Sequence, residues 1–307
     1  MSAESEIIFH QYAMSPFSEK IRKIFAFKRL SYRSVNQPMW MPKPHLTPLT
    51  GGYRRIPVMQ IGADVYCDTA LIARKLEELQ PKPSLYPDGS EAMIEAVAAW
   101  ADRQLFLTCV PIVFGALADV LPEQLLDDRK KMRPDLDVGQ LRAAAPSLRA
   151  ALGAWCGRLD RMLAGRKYLF GSAFSVADAA VYHCLWFARN EPGTSSAIES
   201  FPSLSDWFGR VTDMGTGNAE EMSPEDALAI AKKNEPSAPA GVADDDPAGL
   251  AAGQRIGVFA DDLPSDVFEG TVHAASADEL VILREDGDLG RVALHFPRVG
   301  YFIRPAA

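Results

Sequence analysis

Ile7-Ile8-Phe9-His10-Gln11-Tyr12, followed shortly by Ser15-Pro16-Phe17-Ser18-Glu19-Lys20-Ile21-Arg22, is the stretch on which the fold turns. The first six residues are β-prone. Ser15 directly before Pro16 has the form of a helix N-cap followed by proline at the first helical position. Phe17, Ile21, Ile24 and Phe25 then recur at helical spacing, with Glu19, Lys20, Arg22 and Lys23 on the other faces, so an amphipathic helix is predicted after a short strand. Outward from there, a second strand is predicted at 32–35, and residues 38–52 are crowded with proline and glycine, which predicts a loop with at most a short irregular helix. Pro57 to Ile61, a Gly62-Ala63 turn and Val65 to Cys67 predict a hairpin. Asp68 then stands where it can cap a helix whose core face is Ile72, Leu76 and Leu79.

The order β-α-β, loop, β-β-α is the thioredoxin-like α/β arrangement, here in residues 1–85. From residue 90 to about 215, in a domain bounded at 90–235, the β signal gives way to alanine- and leucine-rich helical periodicity, interrupted at Pro122, Pro134, the Gly165–Gly171 region and Pro192-Gly193. An all-α domain is predicted. Within it Ser175-Val-Ala-Asp178 precedes the apolar run 179–187 as a capping box would, predicting a helix over 176–189. Ser223-Pro-Glu-Asp226 signals one more short helix, and 236–252, rich in Pro, Ala, Gly and Asp, predicts a linker that few contacts cross. Beyond it, short β-prone runs at 256–259, 267–274, 279–283, 291–296 and 300–303, separated by turn residues, predict a small all-β module over 253–307, an SH3-like barrel in size.

The bulk properties bound the function. At 307 residues, two or three domains are expected. Apolar residues make up 48% and charged residues 23%, the composition of a globular protein. Net charge is −8 with no basic run, which argues against a nucleic-acid partner. The stretch 1–9 lacks the pattern of a secretion signal, and no uninterrupted apolar run approaches the ~18–20 residues of a membrane span. Cys67, Cys109, Cys156 and Cys184 form no C-x-x-C pair and have no histidine at metal-ligand spacing, so reduced thiols and a cytoplasmic location are expected, without a metal. His183 and Cys184 share a helix but lack a third ligand, and Trp100, Trp155, Trp186 and Trp207 fall in helical stretches as expected core residues.

Four motifs, in this order, resemble the soluble glutathione transferases, in their serine-type, bacterial-like form: Ser-Pro-Phe-Ser-Glu-Lys-Ile-Arg at the first helix, Arg-Ile-Pro-Val before the hairpin, Asp68-Thr69 at its end, and Phe-Ser-Val-Ala-Asp in the helical region. The resemblance spans about residues 5–215 and leaves the C-terminal β module outside. It implies a fold of thioredoxin-like domain plus all-α domain, glutathione as co-substrate, a small hydrophobic electrophile as second substrate, and a homodimer.

Residue by residue, it implies that Ser15 is the catalytic hydroxyl, with Tyr12 as the rival. A serine hydroxyl is too weak an acid to act as a base at neutral pH, but it can donate to a thiolate whose charge the helix N-terminus also favours. Ser18 would be a further glutathione contact. Ile56-Pro57 matches the family's cis-proline step, where the backbone before proline pairs with the cysteinyl backbone of glutathione. Asp68-Thr69 matches the pair, more often Glu-Ser, that holds the γ-glutamyl end. Arg54 and Arg55 read equally as contacts for a glutathione carboxylate or as a solvated pair. Ser175 and Asp178 are expected to be structural. A glutathione-dependent disulfide reductase is disfavoured by serine at the active position. A scaffold that keeps the fold and recruits a partner through the β module is the alternative. No candidate site residue lies in 253–307, so that segment is expected to be dispensable for binding.

Overall fold

The computed structural model describes residues 6–306; the reading of the stretch 1–9 therefore falls largely outside the described residues. In chain order the elements are β1 (Ile8–Gln11), α1 (Pro16–Lys28), β2 (Ser31–Asn36), α2 (Thr47–Thr50), β3 (Val58–Ile61), β4 (Asp64–Cys67) and α3 (Thr69–Leu79). Then come α4 (Glu91–Trp100), α5 (Phe106–Leu117), α6 (Glu123–Met132), α7 (Val138–Leu163), α8 (Val176–Ala188), α9 (Pro192–Glu199) and α10 (Pro202–Thr212). The chain ends with β5 (Asn218–Glu221), α11 (Pro224–Lys233), β6 (Gly241–Val242), β7 (Arg255–Ala260), β8 (Leu263–Ala275), β9 (Glu279–Asp286), β10 (Gly290–Pro297) and β11 (Tyr301–Pro305). Two compact units result: Met1–Ser18 with Ser31–Leu76 and Asn218–Ala307, and Glu19–Leu30 with Glu77–Gly217.

The first unit is built on one continuous sheet in the order β11-β7-β8-β9-β10-β4-β3-β1-β2-β5, with β6 beside β8. The β-α-β and β-β-α order predicted for the N-terminal region is present: β1 and β2 are parallel, and β3 runs antiparallel to both β1 and β4. The five predicted C-terminal strands are also present, and they form the antiparallel run β11-β7-β8-β9-β10.

What differs from the expectation is their independence. β10 lies parallel to β4, with Ala293 opposite Asp64 and His295 opposite Tyr66. An unpaired edge on β4 would expose a row of backbone donors and acceptors, and β10 removes that edge. Val292 through Phe296 are all buried, as in a strand inside a continuous sheet whose two faces are both covered.

One apolar cluster joins Leu46, Leu49, Tyr53, Val58 and Val65 from the N-terminal segment to Val258, Phe268, Ile282, Leu294 and Phe296 from the C-terminal one. The stretch expected to be a free linker is anchored as well. The Ser237 hydroxyl and backbone N–H donate to Asp64 Oδ2 at 2.7 and 2.8 Å, and β6 pairs with β8. His295 completes the anchor: its Nε2 lies 2.9 Å from Asp64 Oδ1 and its Nδ1 2.7 Å from Glu279 Oε1. Burial works against the imidazolium, but the two carboxylates prevail and the His295 pKa is raised.

The second unit is all helical, and it ends at Gly217, short of the expected 235, because β5 returns to the sheet beside β2. The capping box at the start of α8 is formed: Asp178 Oδ2 accepts from the Ser175 backbone N–H at 2.9 Å and from its hydroxyl at 2.7 Å. Asp178 Oδ1 accepts from Leu169 N–H and from Trp207 Nε1, both at 2.9 Å. Trp207 is fully buried, whereas Trp100, Trp155 and Trp186 are half-buried.

Buried Lys20 pairs with Asp102 at 2.6 Å, and His183 Nε2 lies 3.0 Å from the other oxygen of the same carboxylate, so His183 serves a structural network. Among the described residues no group of three or more His, Cys, Asp or Glu side chains could hold a metal. α4, a π-helical turn at Ala101–Leu105 and α5 run on as one 27-residue helix, Glu91–Leu117, long and apolar enough by length and composition to cross a membrane. Within the unit it packs on α7 and α8.

Candidate functional site

Strand register brings the expected site residues to one end of the sheet. His10 of β1 stands opposite Val58 of β3, and Val58 stands opposite Cys67 of β4. The chain leaves β1 toward Ser15, enters β3 from Pro57 and leaves β4 into Asp68, so all three flank the same row. Loops at the carboxyl ends of parallel strands are where open α/β sheets place their ligands.

Ser15 caps α1, its Oγ accepting the Ser18 backbone N–H at 3.1 Å. A hydroxyl has two lone pairs and one proton, so this bond leaves the proton available for donation. The residue is only 1% exposed, so a thiol sulfur reaches its hydroxyl only if what covers it moves. Ser18 is fully buried, and its hydroxyl has no hydrogen-bond partner among the described residues; a buried polar atom of that kind calls for an explanation. Tyr12, the rival hydroxyl, is half-buried, and its carbonyl accepts the Ser15 N–H at 3.0 Å.

The Ile56–Pro57 bond is cis. Arg55 is held by Asp262 at 2.5 Å, so it is neither free nor simply solvated. Arg54 lines an open cleft of about 300 Å³ with Met41, Gly51, Gly52 and residues 265–268 of β8.

Asp68 adopts a left-handed backbone, φ 82°, uncommon for any residue but glycine and a marker of sites where geometry is imposed. Its Oδ1 accepts the Ala70 N–H at 2.9 Å, as an N-cap does, and Thr69 beside it is buried. Its Oδ2 lies 3.4 Å from the hydroxyl of Tyr301, which in turn lies 3.0 Å from the Tyr53 hydroxyl. Sequence reasoning missed Tyr301, since nothing local distinguishes a tyrosine at the start of a strand. It also placed the whole segment 253–307 away from the site, whereas Tyr301 and Asp262 bring that segment to Asp68 and Arg55.

Cys67, the cysteine adjoining the site, is buried, and burial together with the Asp68 charge pushes its thiol well above the usual range, which leaves it a poor nucleophile.

The comparisons with known proteins bear on this arrangement. Residues 9–84 match the glutathione S-transferase N-terminal domain and residues 139–210 the glutathione S-transferase C-terminal domain. A GST-like protein from Pseudomonas syringae is 38% identical, with a TM-score of 0.79 over 98% of this chain and 100% of that one. The chain belongs to the glutathione S-transferase family. A glutathione S-transferase from Rhodospirillum rubrum F11 shares the fold at 24% identity and TM-score 0.52, over 67% of this chain and 87% of its own. Poplar glutathione transferase F1 does so at 12% identity and TM-score 0.55, over 75% of this chain and 100% of its own. Among curated proteins, none matches the sequence.

Proposed function

We propose that the chain is a serine-type glutathione transferase that ionises the glutathione thiol for attack on a hydrophobic electrophile. The observation that carries this reading is the convergence of Ser15, cis-Pro57 and Asp68-Thr69 on one row of the sheet, in a chain of this family.

In this reading the backbone of Ile56 pairs with the cysteinyl unit, and Asp68 and Thr69 hold the γ-glutamyl ammonium and carboxylate. The Ser15 hydroxyl and the start of α1 face the sulfur, with Ser18 as a second hydroxyl beside it. A thiol near its ordinary pKa of ~8.5 gains about 1.4 kcal/mol of thiolate stabilisation for each unit of depression. The thiol proton leaves to solvent, sulfur forms a bond to carbon, and the electron pair goes to the leaving group or the activated double bond. The proposed chemistry requires no metal. A homodimer fits the exposed apolar side chains of Met93 and Leu107 on α4 and α5, and a cytoplasmic location fits the reduced thiols.

The test is the ultraviolet absorbance of protein-bound glutathione across pH, paired with turnover of a general aromatic electrophile. A thiolate band with its midpoint well below that of free glutathione is expected, and Ser15→Ala should abolish it. A bound thiol that titrates like the free one would end the catalytic reading and leave a glutathione-binding scaffold.

A further inference from the structure

We infer that the C-terminal strands complete the γ-glutamyl subsite of the proposed glutathione site, with Tyr301 as the positioning residue that fixes the Asp68 carboxylate. This rests on the assignment of Asp68 made above. It adds to that assignment a residue from outside the two matched domain segments, 9–84 and 139–210.

The geometry runs as a relay of three side chains. Tyr53, at the end of the loop after α2, and Tyr301, the first residue of β11, have their hydroxyl oxygens 3.0 Å apart, and the Tyr301 hydroxyl donates toward Asp68 Oδ2 across 3.4 Å. With its own proton directed at the carboxylate, Tyr301 accepts from Tyr53. Both tyrosines are nearly buried, Tyr53 at 4% and Tyr301 at 8% exposure, so neither hydroxyl has solvent as an easy alternative.

Their rings are fixed too. Phe296 packs against Tyr301 at 5.4 Å and against Tyr53 at 6.3 Å, and Phe268 lies 5.4 Å from Tyr53. Gly300, at φ 84°, makes the turn that delivers Tyr301 to this position, a conformation that a side chain at 300 would resist. Burial, followed by the nearby Tyr53 and Asp68, holds the Tyr301 phenol well above its usual pKa, so it remains a donor throughout the neutral range.

The consequence for Asp68 follows from its backbone. A residue in the left-handed region persists there only when its surroundings over-determine it. The Ala70 N–H holds one carboxylate oxygen; the tyrosine pair orients the other. An ammonium arriving at Asp68 therefore meets a carboxylate already held from two sides, and the entropy of ordering that side chain is not charged to binding.

The experiment compares the parent with Tyr301→Phe, Asp68→Asn and the double variant in the full-length chain. Glutathione and its desamino analogue, which lacks the γ-glutamyl ammonium, are titrated calorimetrically, and folding is monitored by near-ultraviolet circular dichroism. The parent should prefer glutathione over the desamino analogue by roughly tenfold or more, as expected for a charge-assisted contact. Tyr301→Phe should lose about three- to tenfold in glutathione affinity, the range for one hydrogen bond to a charged group, while affinity for the desamino analogue stays at the parental value. The double variant should be no weaker than Asp68→Asn alone.

A merely structural role for Tyr301 would weaken both ligands equally, and that outcome, or unchanged discrimination in Tyr301→Phe, overturns the inference while leaving Asp68 in place. If Asp68→Asn itself keeps the preference, the assignment of Asp68 is wrong and the inference falls with it. Should Tyr301→Phe fail to fold, Tyr53→Phe, which removes the support behind Tyr301, must show the same selective loss in weaker form, and unaltered discrimination there counts against the relay.

Discussion

Asp68 and Asp178 both stand at helix starts in this chain, and they make different use of the same side chain. Asp178 at the first turn of α8 is wholly buried and accepts four hydrogen bonds, from Ser175 twice, Leu169 and Trp207. Asp68 before α3 is half-buried and sits in a left-handed backbone, with one oxygen accepting the Ala70 N–H and the other 3.4 Å from the Tyr301 hydroxyl. The first has no acceptor capacity left for a ligand. The second is open enough to meet a ligand, and in the reading proposed above it faces the γ-glutamyl ammonium. A carboxylate at a helix N-terminus thus says little by its position, and its burial separates a fold-holding group from a candidate ligand-holding one.

The largest effect that could break the contrast is on stability. Asp178→Ala leaves four donors in the helical unit without their acceptor and should cost about 3–5 kcal/mol, read as a lower denaturant midpoint or failure to accumulate folded protein. A loss under about 1 kcal/mol would mean that the network is replaceable. Asp68→Asn should do the reverse. Asparagine tolerates the left-handed backbone, so stability should stay within about 0.5 kcal/mol of the parent, while glutathione affinity drops by roughly tenfold, about 1.4 kcal/mol. Equal affinity by calorimetry would dissolve the distinction.

Ser15→Ala comes next, with about 1 kcal/mol of stability lost as a helix cap, measured by thermal melting alongside the change in thiol ionisation. The smallest and most gradual effect concerns a third aspartate, Asp64, through its partner His295. The His295 pKa is raised in the folded chain, so its contribution is fully present below the unfolded value near 6.5 and is lost as pH rises through the folded value. Asp64 is shifted down, so its contribution fades only as the solution becomes more acidic than an ordinary carboxylate tolerates. His295→Gln should flatten the alkaline side of a stability-pH profile, and an unchanged slope would remove His295 from the anchor between β4 and β10.

Most of the local structure was legible because local rules govern it. The apolar stripe of α1, the capping box at Ser175, the hairpin at 57–67 and the five C-terminal strands follow from periodicity, capping and turn chemistry, and strand bounds fell within a few residues. Partner choice was not legible. Period-2 alternation says that a segment is a strand, not which edge it finds, and the pairing of Ala293 with Asp64 leaves no trace near either residue. The candidate site divides along the same line. Ser15, Pro57 and Asp68 were readable because each closes or opens a local element, while Tyr301 and Asp262 reach the site only through that long-range pairing.

The parallel pairing of β10 with β4 also sets a timetable for the newborn chain. Ala293 emerges from the ribosome about 230 residues after Asp64, which at 5–20 residues per second is roughly 10–50 s. Throughout that interval β4 has a bare edge, and the apolar side chains of Val58 and Val65 lack the C-terminal half of their cluster. The helical segment 77–217, by contrast, follows an α1 already made and has the rest of its unit within a single continuous stretch of chain. Translation order thus hands the cell a finished helical body carrying an unfinished sheet, and the last strands made are the ones that close the surface on which chaperones and misassembly would otherwise compete.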